Sequence, residues 1–197
     1  GDHPNIIAAL GNIGVLCENA GRPADALPRH QEALAMARRL FPGDNKEVAI
    51  ALFQNSNCLN SLNRHAEAIP LLEELLAMKR RMIKGDHPEL INILMNLGIA
   101  KRESGAFDEA EQLFRDGIAM RERISPNPPG EHPQIASARR HLALLRVKQG
   151  RTGEALDEAR AAAAMAAKLL PENNPVRQRC ETTLKEIEKL AGEAPPR

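Results

Sequence analysis

The chain has 197 residues, a net charge of +1 and 43% apolar residues, with four Phe and neither Trp nor Tyr. Such a charge supplies no bulk field for nucleic acid or lipid, and no apolar run approaches the roughly 18 residues of a membrane span. Cys17, Cys58 and Cys180 form no CxxC pair and are odd in number, so they suit a reducing compartment and a packing role better than a disulfide framework. The expected location is therefore cytoplasmic. The chain opens at Gly1 in mid-pattern, which reads as a piece of something longer.

In chain order, Pro4 suits a first helical position and leaves His3 as N-cap. Ile6, Ile7, Leu10, Ile13, Leu16 and Cys17 then follow helical spacing to about Ala20. Gly21 ends that helix and Arg22-Pro23-Ala24 starts the next, which carries Ala26, Leu27, Ala33, Leu34 and Met36 to about Leu40. Asn45 caps a third helix from about Lys46 to Leu62, and Asn63 takes the place of Gly21. A fourth runs from about Ala66 to Ile83. Asp86-His87-Pro88 opens a third unit that turns at Gly105, and Gly130-Glu131-His132-Pro133 opens a fourth that turns at Gln149-Gly150. Asn173-Asn174-Pro175 opens a last helix from Val176 to about Leu190, with a wet face of Glu181, Lys185, Glu186, Glu188 and Lys189 that reads as a terminal cap.

These units are copies of one another. A shift of 42 residues superposes Met36, Met78 and Met120, and likewise Ala26, Ala68 and Ala110. A further 45 residues brings Met165 and Ala155 into register, the extra three falling in the Pro-rich loop Ser125 to Pro129. The expected boundaries are 1–42, 43–84, 85–129 and 130–171, with a cap helix at 175–190 and a tail or linker at 191–197. The expectation is an all-α chain of four helical hairpins and a cap, with no strands.

Small residues stand midway along each first helix (Gly14, Ser56, Gly98, Ala143), followed by the aligned Ala26, Ala68, Ala110 and Ala155 and then by Ala33, Leu75, Gly117 and Ala162. The turn Gly105-Ala106-Phe107-Asp108-Glu109-Ala110 recurs as Gly150-Arg151-Thr152-Gly153-Glu154-Ala155. In these residues, together with Asp86-His87-Pro88 and Leu94-Met95-Asn96-Leu97, the chain resembles a tetratricopeptide repeat array. The likeness is to the long form found in kinesin light chains and many bacterial signalling proteins, and it covers residues 1 to 190. Leu75 is large for its slot, and the aromatic expected near Cys17, Leu59, Lys101 and Arg146 is missing each time. The resemblance implies a right-handed α-solenoid forming a single domain at 1–190.

The resemblance further implies a concave groove lined by the first helices. Its positions here are Asn12 and Val15; Ile50, Phe53, Gln54 and Asn57; Asn92, Met95, Asn96 and Ile99; Arg140, His141 and Leu144. In this set Asn12, Gln54, Asn96 and His141 form a polar ladder. An amide offers donor and acceptor together, which suits an extended peptide backbone, and Phe53 and Met95 are placed to bury an apolar anchor. The same residues serve equally as helix-to-helix contacts within the scaffold. Only Arg140, with Arg102 and Lys148 deeper on the same helices, offers positive charge to a carboxylate.

Other chemistry is absent from the pattern. His3, His87 and His132 each precede a proline one repeat apart and share a capping job, so no metal or cofactor is expected. No HExxH, P-loop, EF-hand or nucleophile elbow occurs, and no catalytic residue is assigned. The basic run Lys79-Arg80-Arg81 ends a second helix, as do Arg38-Arg39, Arg121 with Arg123, and Lys168, where the helix dipole accounts for it. Without aromatic platforms, nucleic-acid binding is not expected.

The expected function is a non-enzymatic scaffold that binds a peptide segment or partner domain in the groove, including contact with other domains of a longer chain. The alternative is a regulatory or sensor segment of a larger kinase, protease or NTPase. A third reading, assembly through open ends, is opposed at the C-terminus by the cap helix.

Overall fold

The computed structural model describes residues 1–125 and 130–193; the Pro-rich loop at 126–129 and the last tail residues lie outside them. The described residues fold into helices without strands, in two compact units, Gly1–Gly85 and Asp86–Arg197.

In the first unit α1 (Pro4–Asn19) and α2 (Pro23–Leu40) form one hairpin, and α3 (Lys46–Ser61) and α4 (His65–Met82) form the next. In the second, α5 (Pro88–Glu103) pairs with α6 (Phe107–Ile124), α7 (Pro133–Lys148) pairs with α8 (Thr152–Leu169), and α9 (Pro175–Glu193) packs on both α7 and α8. Within each unit the second helix of one hairpin also packs on the first helix of the next, α2 on α3 and α6 on α7.

Local chemistry sets these boundaries. His3, His87 and His132 each accept the backbone N–H two residues on through Nδ1, at 3.1–3.2 Å, and Asn45 and Asn174 do so through Oδ1 at 2.9 Å. Each satisfies one of the orphan donors of a helix start. The histidine before the proline is thus a cap, as its recurrence implies. At the other end the turn needs a left-handed residue. Gly21 supplies it at φ 72°, and Asn63 does the same at φ 57°. Both turns close with a backbone bond to the residue five back, Arg22 to Cys17 and Arg64 to Leu59, each 2.9 Å. Helices α2 and α4 run through Pro28 and Pro70.

The last helix is longer than the sequence reading places it. It continues past Leu190 to Glu193, because Ala191 and Glu193 are good helix formers and the first proline stands only at Pro195.

The cores are thin layers of Ala and Leu between helices. Ala26, Leu52 and Leu72 are fully enclosed in the first unit, and Leu75, large for its slot, is accommodated and buried. In the second unit Ala110, Phe114, Leu142 and Leu145 make one layer, Ala143, Ala155, Ala159 and Ile187 another, and Cys180 joins Ala162 and Ala166 under the last helix.

A polar staple recurs beside this core. The acid that opens each hairpin pairs with a cation 37 residues on: Asp2 with Arg39, Asp44 with Arg81, Asp86 with Arg123 and Glu131 with Lys168. The helix dipole therefore explains only part of why those cations stand there. Being exposed, each pair contributes little, and salt weakens it.

Candidate interaction surface

In the first unit the sequence-derived positions lie on α1 and α3. Asn12, Val15 and Ile50 are exposed, while Phe53, Gln54 and Asn57 are half-buried. Gln54 reaches across to α1, where its Oε1 lies 2.9 Å from the place a Cβ on Gly11 would occupy. Gly11 therefore makes room for this amide, which bridges the two first helices.

The outer face of α1 is apolar and open. Ile6, Ile13 and Leu16 are exposed, Leu16 at 66%. In the second unit the residues in the same register are buried: Leu90 and Ile135, Leu97 and Leu142, Ala100 and Leu145.

In the second unit Asn92 is exposed and accepts a 2.9 Å hydrogen bond from the Gln134 side chain, linking α5 to α7. Met95 and Ile99 pack against the Phe114 layer, so part of each side chain serves the scaffold. Asn96 and Leu144 are half-buried.

His141 departs from the expectation of a ladder open to ligand. Its ring is only 8% exposed and stacks on Phe114 at 5.5 Å with a 13° interplanar angle. Arg102 Nη1 lies 3.1 Å from Nδ1, and Arg140 Nη2 lies 3.3 Å from Nε2. A neutral imidazole has one acceptor nitrogen, so only one of these contacts is a hydrogen bond. Burial, reinforced by Arg140, Arg102 and Arg179, holds His141 well below the ordinary histidine range. The amides at the equivalent positions do not titrate and are less enclosed, whereas the His141 ring packs on Phe114.

Acid should therefore destabilise the protein in two stages. A group whose folded pKa is lowered contributes stability above its unfolded value and loses it as pH falls. His141 makes the second unit weaken from about pH 6.5 downward. The carboxyls of Asp2, Asp44 and Asp86, held low by hydrogen bonds from Arg39, Arg81 and Arg123, add a second loss below about pH 4. Thermal melting against pH should show the first stage clearly and the second only slightly, since the aspartate pairs are exposed. His141→Gln, which restores the amide of the other repeats, should remove most of the first and leave the second, the remainder of the first belonging to His132, which burial and then Arg121 also hold low.

The sequence reading missed the partners of Arg140. Between α7 and α9 lies a recess of about 420 Å³ lined by Arg140, Pro175, Gln178, Arg179, Thr182, Thr183 and Glu186. Burial, and secondarily Arg179 and Arg102, pulls Arg140 below the ordinary guanidinium range. It is a half-buried cation facing a second cation, with Glu186 as the single acid in the lining.

Burial, with the Glu18 carboxylate next, pushes the Cys58 thiol up to about 11, far from a reactive thiolate. Among the described residues no helix is long and apolar enough to cross a membrane.

Three sequence profiles, each described as tetratricopeptide repeat, match residues 6–45, 47–123 and 95–169. No curated protein matches the chain in sequence. Solved structures do match in fold. The kinesin-light-chain-related, nearly identical TPR-like repeats of Podosopora anserina align over 98% of this chain and 90% of theirs, at 19% identity and a TM-score of 0.75. BtubC (BKLC) from P. vanneervenii aligns over 95% and 82%, at 16% identity and 0.68. MamA, from position 41 to its end, of Desulfovibrio magneticus RS-1 aligns over 83% and 77%, at 15% identity and 0.61. At these identities the likeness is one of fold. Profiles that jointly cover most of the chain, and hairpins that repeat cap, turn and small-residue contact, assign it: the chain belongs to the tetratricopeptide repeat family, an α-solenoid fold of non-catalytic protein-interaction scaffolds.

Proposed function

We propose that the protein holds a peptide segment of a protein partner on the first-helix faces, with an acidic side chain or terminal carboxylate of that segment seated between Arg140 and Arg179. The recess between α7 and α9 carries this reading. A half-buried guanidinium that shares its recess with a second cation and a single acid, Glu186, gains from a further anion brought by a ligand, and arginine binds carboxylates in two-point fashion. Gln178 and Thr182 in the same wall offer further hydrogen bonds. On the first unit, Asn12 and the half-buried Gln54 and Phe53 supply amide and apolar contacts of the kind an extended peptide uses.

Peptides selected on the intact chain from a display library should be enriched in Asp and Glu. Arg140→Ala should weaken their binding by roughly tenfold or more, the value of a hydrogen bond to a charged group, without lowering stability. The Phe53→Ala/Asn96→Ala pair should weaken binding independently of peptide charge. Selected peptides with no acidic preference, or an Arg140→Ala protein that binds them unchanged, would refute the carboxylate seat.

A further inference from the structure

We propose that Glu18, His30 and Cys58 form a binding site for a divalent transition metal of zinc-like character, held between α1, α2 and α3 of the first unit. One oxygen, one imidazole nitrogen and one sulfur, all from the enclosed meeting point of the three helices, lie within 4.8 Å of one another. His30 Nε2 stands 3.5 Å from Glu18 Oε2. Zinc bonds of roughly 2.0–2.3 Å in a tetrahedron put neighbouring ligands roughly 3.5 Å apart. The His–Glu edge already has that length, and the thiol sulfur lies within 4.8 Å of both.

His30 is the independent sign of a ligand. Its ring is 0% exposed; Nδ1 has no hydrogen-bond partner, and Nε2 faces only the Glu18 carboxylate at 3.5 Å, outside hydrogen-bond geometry. A buried polar group left in this state is costly. The scaffold does not need it there, since the equivalent positions in the other hairpins hold Leu72, Phe114 and Ala159, all fully buried. Glu18 stands likewise where the next hairpins have Asn60 and Arg102, and Cys58 where the third has Ala100. Gly14 completes the arrangement, because a Cβ there would collide with the His30 ring. Three metal-ligating side chains thus converge on one point, two of them, His30 and Cys58, where the other repeats place carbon.

The donor set selects the metal. Thiolate, imidazole and carboxylate together suit zinc, not magnesium or calcium. One thiolate and one carboxylate neutralise a dication, so the enclosed site carries no net charge. Cys58 Sγ donates to the Pro23 carbonyl at 3.2 Å. On binding, that proton leaves to solvent and a sulfur–metal bond replaces the S–H bond. Glu18, 26% exposed, forms the opening through which the ion enters and a water completes the fourth position.

Metal-free protein titrated with Co²⁺ should bind one equivalent, with thiolate-to-metal charge-transfer and tetrahedral d–d absorption that Zn²⁺ abolishes. Zn²⁺ should raise the thermal midpoint. The best variants borrow residues from the protein's own repeats: His30→Leu after Leu72, Cys58→Ala after Ala100 and Glu18→Asn after Asn60. Cys58→Ala should lose the charge-transfer band. Each of the other two should lose at least roughly tenfold in affinity together with the midpoint shift, while Cys17→Ser and His3→Ala keep both. Circular dichroism checks folding, and the three substitutions are independent, so one misfolded variant leaves two tests standing. A wild-type chain with no thiolate band, a band that survives Cys58→Ala, or affinity unmoved by His30→Leu would each overturn the site.

Discussion

Phe114→Ala should remove about 3–5 kcal/mol of stability, read as a lower urea midpoint with little change in slope. Phe114 is 0% exposed in a chain that has neither Trp nor Tyr. Its ring fills the space between α5, α6 and α7, packed with Ala110, Leu142 and Leu145 and flanked by Met95, Ile99, Phe107 and Ile118. On one side lies Gly98, where a Cβ would come within 2.6 Å of Cε1; on the other lies the His141 ring. Alanine would leave a void that helices pinned by their own hydrogen bonds cannot close, and His141 would lose the surface that makes its burial tolerable. Phe114→Leu copies Leu72 and should cost less than about 1.5 kcal/mol. A Phe114→Ala protein within that smaller figure would mean the hairpins collapse onto the gap.

Glu111→Ala should cost about 1.5–3 kcal/mol by urea unfolding, because it removes a two-point charged hydrogen bond from a little-exposed guanidinium. The Arg146 guanidinium, 6% exposed, forms a two-point pair with the half-buried Glu111 carboxylate. Without it, Gln149 at 2.9 Å and Glu154 at 3.6 Å are left to satisfy the cation. The same place in the first unit is occupied by Leu27 and Leu59, both buried, so the fold itself has no need of an ion pair there. Glu111→Leu/Arg146→Leu should therefore recover most of the loss and can exceed the native stability. If the double variant is as weak as Glu111→Ala, the pair does more than replace an apolar contact.

Which residues begin and end helices was readable from the chain because those decisions are local. His3, Asn45, His87, His132 and Asn174 cap within two residues of themselves, and Gly21 or Asn63 turns the chain by its own φ. The repeat register added which faces are apolar, since equal spacing puts equal residues at equal contacts. Register alone did not reveal exceptions to the pattern. His141 aligns with three amides, yet Phe114, from the preceding helix, draws its ring inside.

Arg39, Arg81 and Arg123 read locally as dipole partners, and only folding brings each to an acid 37 residues away. The recess at Arg140 needs Arg179 and Glu186 from α9. Glu18, His30 and Cys58 come from three helices and share no motif spacing. Caps, turns and helical period thus belong to the sequence by itself, being set by neighbours a few residues apart. Partnerships between charged or polar side chains belong to the tertiary structure. Their energies depend on distance and burial, which exist only once the helices have packed.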